Sequence, residues 1–142
     1  MNLKVKILDN YSGKGLEYKT SGSAGFDLTS SVSSFLRPGQ RTKIPCGVAF
    51  QIPEGYEGNI RPRSGMTVDF GLMAVEGTID SDYRGEVSAI MVNISGYDQQ
   101  IVIGQRIAQM VISPVVRCVF EKVDYLDDTD RGTNGFGSTG NF

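Results

Sequence analysis

Short segments that alternate apolar and polar residues, broken by glycine- and proline-containing turns, run through most of the chain. Leu3, Val5 and Ile7 alternate with Lys4 and Lys6, the period-two pattern of a half-buried strand. Phe26 and Leu28 fall on one strand face and Asp27 on the other. Phe35-Leu36 runs into the turn Arg37-Pro38-Gly39-Gln40, and Val48, Phe50 and Ile52 alternate up to Pro53-Glu54-Gly55. Tyr56–Arg61, Leu72–Val75, Gly77–Ile79 and the β-branched run Val87–Ile94 predict further strands, and Ile101–Ile103, Ile107–Ile112 and Val115–Val123 complete the series. Only Met66–Phe70 predicts a short helical turn. Turn signals recurring about every 8–12 residues predict an all-β fold, a sandwich or barrel.

From Asp124 the apolar period stops. Arg131-Gly132-Thr133-Asn134-Gly135-Phe136-Gly137-Ser138-Thr139-Gly140 is too glycine-rich for a strand or helix, because glycine loses the most backbone entropy on ordering. The expected organisation is one β-domain over residues 1–123 and a flexible glycine-rich C-terminal arm over 124–142. Phe136 has no core to join there, which favours an arm that folds over a flat ring and meets phosphate with its backbone N–H groups.

Composition narrows the chemistry. The 142 residues include 18 glycines and no histidine, so histidine-based nucleophile pairs, imidazole bases and histidine metal ligands are excluded. Fourteen Lys+Arg against 16 Asp+Glu give a net charge of −2, which argues against a nucleic-acid partner. No apolar stretch approaches the ~20 residues of a membrane helix, so no membrane partner is expected. Cys46 and Cys118 lie far apart without CxxC spacing, as expected for reduced thiols in a cytoplasmic protein.

Five segments carry candidate chemistry. Ala24-Gly25-Phe26-Asp27-Leu28 offers a strand-borne acid. Arg61-Pro62-Arg63-Ser64-Gly65-Met66 offers a guanidinium fork, a hydroxyl and a glycine that admits close backbone approach. Gly77-Thr78-Ile79-Asp80-Ser81-Asp82-Tyr83-Arg84-Gly85 sets an acid at the end of a strand, where the sheet fixes its position. Gly104-Gln105-Arg106-Ile107-Ala108-Gln109 leads from a turn into a strand, and the glycine-rich arm is the fifth segment. Each has a plain reading as a turn or a solvent-facing strand residue. In order and spacing, however, the five resemble the motifs of the trimeric deoxyuridine triphosphatases (dUTP diphosphatases), and the resemblance spans Ala24 to Gly140.

The resemblance implies a distorted jelly-roll β-barrel, a homotrimer with active sites shared between subunits, and Mg²⁺-assisted hydrolysis of dUTP to dUMP and pyrophosphate. Such an activity limits uracil incorporation into DNA and supplies dUMP for dTMP synthesis. By likeness, Asp80 would hold and deprotonate the water that attacks the α-phosphorus, and Asp27 would orient metal-bound water. Arg63, Ser64, Gly65 and Gln109 would contact the phosphates, and Tyr83 would lie against the deoxyribose. Thr78 and Ile79, with Ser88 on the facing strand, would bracket the uracil. Arg131 would reach the γ-phosphate, and Phe136 would stack on the base, with Gly137 and Ser138 beside it. The sequence departs from the family pattern at Met66, Ala74 and Glu76, which bears on the fine geometry of the base pocket. Three other readings compete: a deoxycytidine triphosphate deaminase of related fold, a nucleotide sensor acting through a regulatory protein partner, and a structural β-domain.

Overall fold

The computed structural model describes residues 1–135. Eleven strands and one short helix follow in the order β1 (Lys4–Ile7), β2 (Phe26–Thr29), β3 (Ser34–Leu36), β4 (Arg41–Pro45), β5 (Val48–Gln51), β6 (Tyr56–Arg61), α1 (Ser64–Phe70), β7 (Leu72–Ala74), β8 (Gly77–Ile79), β9 (Ser88–Asn93), β10 (Gln99–Ile101) and β11 (Arg106–Pro114). All pairings are antiparallel. A four-stranded sheet, β2-β11-β6-β8, and a three-stranded sheet, β4-β9-β7, are joined by the ribbons β1-β5 and β10-β3. This is an all-β fold of the jelly-roll type, in which the chain passes repeatedly from one sheet to the other.

The core follows from the strand period. Phe26 and Leu28 of β2, Ile60 of β6, Leu72 of β7 and Met91 of β9 point inward and are buried, while their neighbours along each strand are more exposed. Full burial of a side chain such as Leu28 or Met91 stabilises the fold by about 1.5–3 kcal/mol. Three polar residues, Ser30, Ser31 and Asn93, are buried, and Asn93 is fully satisfied. Its amide donates to the carbonyls of Leu36 and Tyr97 at 2.9 and 2.7 Å, and its Oδ1 accepts from Ser95 N and Oγ at 2.9 and 2.7 Å.

Helix α1 begins after Pro62 and ends at Gly71, which adopts φ 62° and caps the last turn. A Cβ at Gly71 would stand 2.6 Å from that of Ser95, so the position needs glycine for space as well as for conformation.

The structure departs from the sequence pattern in four places, the first being Ile101–Ile103, of which only Ile101 belongs to a strand, β10. Strand β1 is exposed along its whole length rather than half-buried, because among the described residues its only strand partner is β5. Strand β4 was not signalled by alternation: Lys43 and Arg41 hide an edge strand of which only Ile44 is buried. The last predicted strand, Val115–Val123, does not form. Regular structure ends at Pro114, and Val116, Val119 and Phe120 are almost fully exposed. The alternation there is real, but no strand among the described residues pairs with it.

Candidate active site

Three of the five segments converge on one cavity of about 320 Å³, walled by Asp27, Arg63, Ser64, Gly65, Arg106 and Gln109. The β-ladders account for this. Asp27 stands opposite Gln109, and Gln109 stands opposite Arg61, so strands far apart in sequence present these side chains on one outer face. Arg63-Ser64-Gly65 follows directly from the end of β6 into α1, which brings the turn to the same edge.

The Asp27 carboxylate is held from two sides. Arg63 Nε lies 2.8 Å from Oδ1 and Arg106 Nη1 lies 3.2 Å from Oδ2. Arg63 Nη1 also donates to the Arg106 carbonyl at 2.9 Å. Arg106 reaches this face through a bulge. The ladder pairs Arg106 with Thr29 but Ala108 with Leu28, so Ile107 is an extra residue in β11. Three residues apart on a regular strand, Arg106 and Gln109 would point to opposite faces; the extra residue turns both outward. Arg106 was not singled out from the sequence as a site residue, although it lies within the fourth motif.

Gln109 is fixed crosswise. Its Nε2 donates to the Pro62 carbonyl at 2.9 Å, and its Oε1 lies 3.2 Å from where a Cβ at Gly25 would stand. Gly25 has no room for a side chain, since that Cβ would also come within 2.9 Å of the Met110 carbonyl. The second, first and fourth motifs are thus locked together around one side-chain amide.

Asp80 is not in this cavity. It is exposed at the end of β8 and opens, with Thr78, Ser81 and Asp82, onto a separate cavity of about 660 Å³. Ile79 pairs with Gly58 on β6, whereas Asp27 lies level with Arg61 and three strands away. With strands about 4.8 Å apart and residues about 3.3 Å apart along each, these offsets separate Asp80 from Asp27 by roughly 20 Å within one chain.

The segment after Asp80 is a crossover between sheets, since β8 pairs with β6 and β9 pairs with β4 and β7. Its conformation is held by its own backbone: Tyr83 N donates to the Asp80 carbonyl at 3.1 Å, and Arg84 Nη1 donates to the Ser81 and Tyr83 carbonyls at 2.7 and 2.8 Å. Tyr83, half-exposed, donates its hydroxyl to the Glu86 carbonyl at 3.1 Å. Glu86 in turn accepts from Asn10 Nδ2 and Gly47 N, each at 2.9 Å, which ties the crossover to the β4–β5 turn. Glu86 carried no sequence signal, because its role depends on residues 39 and 76 positions away.

Ser88 does not face Thr78 and Ile79 across a ladder; it stands opposite Pro45 in the other sheet. Arg131 is exposed and donates through Nε to the Asn134 carbonyl at 2.9 Å, outside both cavities. Phe136, Gly137 and Ser138 lie outside the described residues.

The dUTPase family model matches residues 12–140. The chain belongs to the dUTPase family. It is 49% identical to a deoxyuridine 5'-triphosphate nucleotidohydrolase from Anaplasma marginale (strain St. Maries), over 97% of this chain and 99% of that one. A protein of the same name from Bdellovibrio bacteriovorus is 44% identical over 97% and 95% of the two chains. Among solved structures, the dUTPase of Staphylococcus bacteriophage 80alpha with dUPNHPP superposes with a TM-score of 0.89 at 28% identity, over 98% of each chain. A mutant dUTPase from phage phi11 of S. aureus, described with a structural Mg(II) ion, superposes at 0.81 with 26% identity, over 90% of this chain and 100% of that one. Within one chain, the Asp27 group and the Asp80 segment open onto separate cavities.

Among the described residues, no group of three or more acidic, cysteine or histidine side chains could cage a metal ion. No helix of the described residues is long and apolar enough to cross a membrane.

Proposed function

We propose that this chain hydrolyses dUTP to dUMP and pyrophosphate, and that it does so as a homotrimer whose active sites each draw on more than one copy. The observation that carries the reading is the convergence of Asp27, Arg63, Ser64, Gly65 and Gln109 on one cavity while Asp80 opens onto another. A single nucleotide cannot meet both groups across roughly 20 Å, so a second copy has to bring its Asp80 to the Asp27 side. The exposed apolar stretch around Val116, Val119 and Phe120 supports assembly, since such a patch is characteristic of an interaction surface.

In this mechanism Ser64, the Gly65 backbone and Gln109 hold the phosphates. Arg63 and Arg106 balance their charge, which suits phosphoryl transfer because positioning and electrostatics dominate there. Asp80 holds the attacking water and takes its proton on a carboxylate oxygen. Tyr83 packs against the deoxyribose; its hydroxyl, occupied by the Glu86 carbonyl, fixes the ring so that a 2′-hydroxyl has no room. The backbone of Thr78 and Ile79, together with Ser88, brackets the base. Residues 124–142 form the arm that closes over the site, with Arg131 at the γ-phosphate and Phe136, Gly137 and Ser138 at the base and sugar.

The donor set fits Mg²⁺, an oxygen-seeking ion that keeps several waters and shares substrate phosphates rather than needing a protein cage. Asp27 is the residue that would hold it, through its waters, while both carboxylate oxygens stay anchored by arginines. When bound, the ion supplies neutralisation of triphosphate charge.

Two inactive variants test the shared site together with the reaction. Asp80→Asn and Gln109→Ala are each expected to lower dUTP turnover by about 100-fold. When the two are unfolded and refolded as a mixture, mixed trimers recover activity, because one copy supplies an intact Asp80 and another an intact Gln109. No recovery on mixing would assign both residues to a site within one chain. Absence of pyrophosphate release by the parent chain from dUTP with Mg²⁺ would overturn the reaction itself.

A further inference from the structure

The loop between β1 and β2 adds positive charge beside the Asp27 cavity, at residues outside the five motifs. Lys19 lines that cavity and also a second one of about 520 Å³, whose wall includes Lys14 and Glu17. The two cavities share Lys19, Asp27 and Arg106, so they are neighbouring compartments of one trough with the Asp27–Arg106 pair on the divide. Ser64 and Gln109 belong only to the first compartment, and Lys14 only to the second.

Four cationic side chains stand along this trough, Lys14, Lys19, Arg63 and Arg106, against the carboxylates of Asp27 and Glu17. Both carboxylates are already engaged, Asp27 by the two arginines and Glu17 by Lys19. Among the described residues Lys14 enters no ion pair. The hydrogen bond and charge of Lys19 hold the Glu17 carboxyl below its ordinary value. Both partners are more than half exposed, and exposed lysine–glutamate pairs are weak. A polyanion entering the trough can therefore draw the Lys19 ammonium, on its flexible stem, away from Glu17.

We infer that the Lys14–Lys19 compartment is a pyrophosphate subsite adjoining the phosphate cavity, with Glu17 as an internal competitor for Lys19. The inference rests on the dUTP-hydrolysis reading, which makes pyrophosphate the more highly charged product and directs it past Asp27, away from the nucleoside. A subsite of this kind concentrates the substrate's distal phosphates on entry and retains the inorganic product after cleavage.

Product inhibition of the full-length chain separates the possible sources of anion binding. Replacing Lys14 and Lys19 together by alanine is expected to raise the inhibition constant of pyrophosphate by about tenfold, and to leave that of dUMP within about twofold. Glu17→Gln, which frees Lys19, is expected to lower the pyrophosphate constant several-fold. An unchanged pyrophosphate constant in the double variant, or a parallel rise for dUMP, would overturn the inference. Direct calorimetric titration of pyrophosphate into the parent and the double variant needs no turnover. Lysine-dependent pyrophosphate binding by a chain that does not hydrolyse dUTP would preserve the subsite and refute the reaction; hydrolysis with lysine-independent binding would do the reverse.

Discussion

Arg63 Nε lies 2.8 Å from Asp27 Oδ1, while Nη1 of the same guanidinium donates at 2.9 Å to the Arg106 carbonyl. One side chain thereby joins the segment after β6 to both β2 and β11, and the Asp27 carboxylate is fixed without giving up its remaining lone pairs. Asp27→Asn keeps the shape and removes the charge, leaving two guanidiniums facing each other. The expected loss of stability is about 1–2 kcal/mol, read as a lower urea midpoint with unchanged slope. Turnover by the variant should also need more Mg²⁺ for half-maximal rate. An unchanged midpoint and an unchanged Mg²⁺ requirement would mean that the pairs carry neither role.

Gly25→Ala tests the close contact between β2 and β11. The added Cβ would lie 2.9 Å from the Met110 carbonyl, a backbone atom that cannot swing aside. Overpacking of this kind costs about 1–3 kcal/mol. It should also shift Asp27 from its place opposite Gln109, so that activity falls along with the thermal midpoint. Full activity at native stability would show that the ladder yields more readily than the contact suggests.

Cys46 should resist thiol reagents in the native protein. Burial pushes the Cys46 thiol from 9.0 up to about 12, and the Ala89 backbone only partly offsets this. Cys118 is exposed. A thiol reagent at pH 8 should leave Cys46 unlabelled in the native protein and reach it after unfolding. Because the folded state keeps the Cys46 proton more tightly, this contribution to stability is intact below pH 9. It is lost progressively as pH rises from 9 towards about 12. Rapid labelling of Cys46 in the native chain at pH 8 would contradict the burial.

A chain ending at Asp130 separates the barrel from the proposed arm. Thr129 and Arg131 to Asn134 are exposed and, among the described residues, bond only among themselves, through Gly132 N to the Thr129 carbonyl at 3.0 Å and Arg131 Nε to the Asn134 carbonyl at 2.9 Å. Truncation should leave the urea midpoint unchanged and lower kcat/KM for dUTP by roughly 100-fold or more. Undiminished turnover would remove the arm from the mechanism.

Period-two alternation marked most of the strands, and Gly77–Ile79 and Tyr56–Arg61 match β8 and β6 residue for residue. Alternation is written most clearly where one face meets the core, and the edge strand β4, with Ile44 alone buried, left too weak a trace. The converse failure is Val115–Val123, whose alternation lacks a partner strand among the described residues. Candidate site residues were legible because each lies in a local segment of distinctive composition. Glu86, Lys19 and Lys14 were not, since what they do depends on neighbours brought near only by folding.

By itself the sequence determined the all-β class, the absence of histidine chemistry and the identity of the five motifs, all properties of residue type and short-range order. Only the tertiary structure decided how those residues meet. The extra residue Ile107 turns Arg106 onto the face of Asp27 and Gln109, a change of parity that no motif spacing records. The register of β2, β11, β6 and β8 sets Asp80 far from Asp27 in one chain. Strand pairing is a long-range choice, made by which apolar faces can be buried together, and that choice divides the candidate residues into two groups, which the proposed trimer brings together.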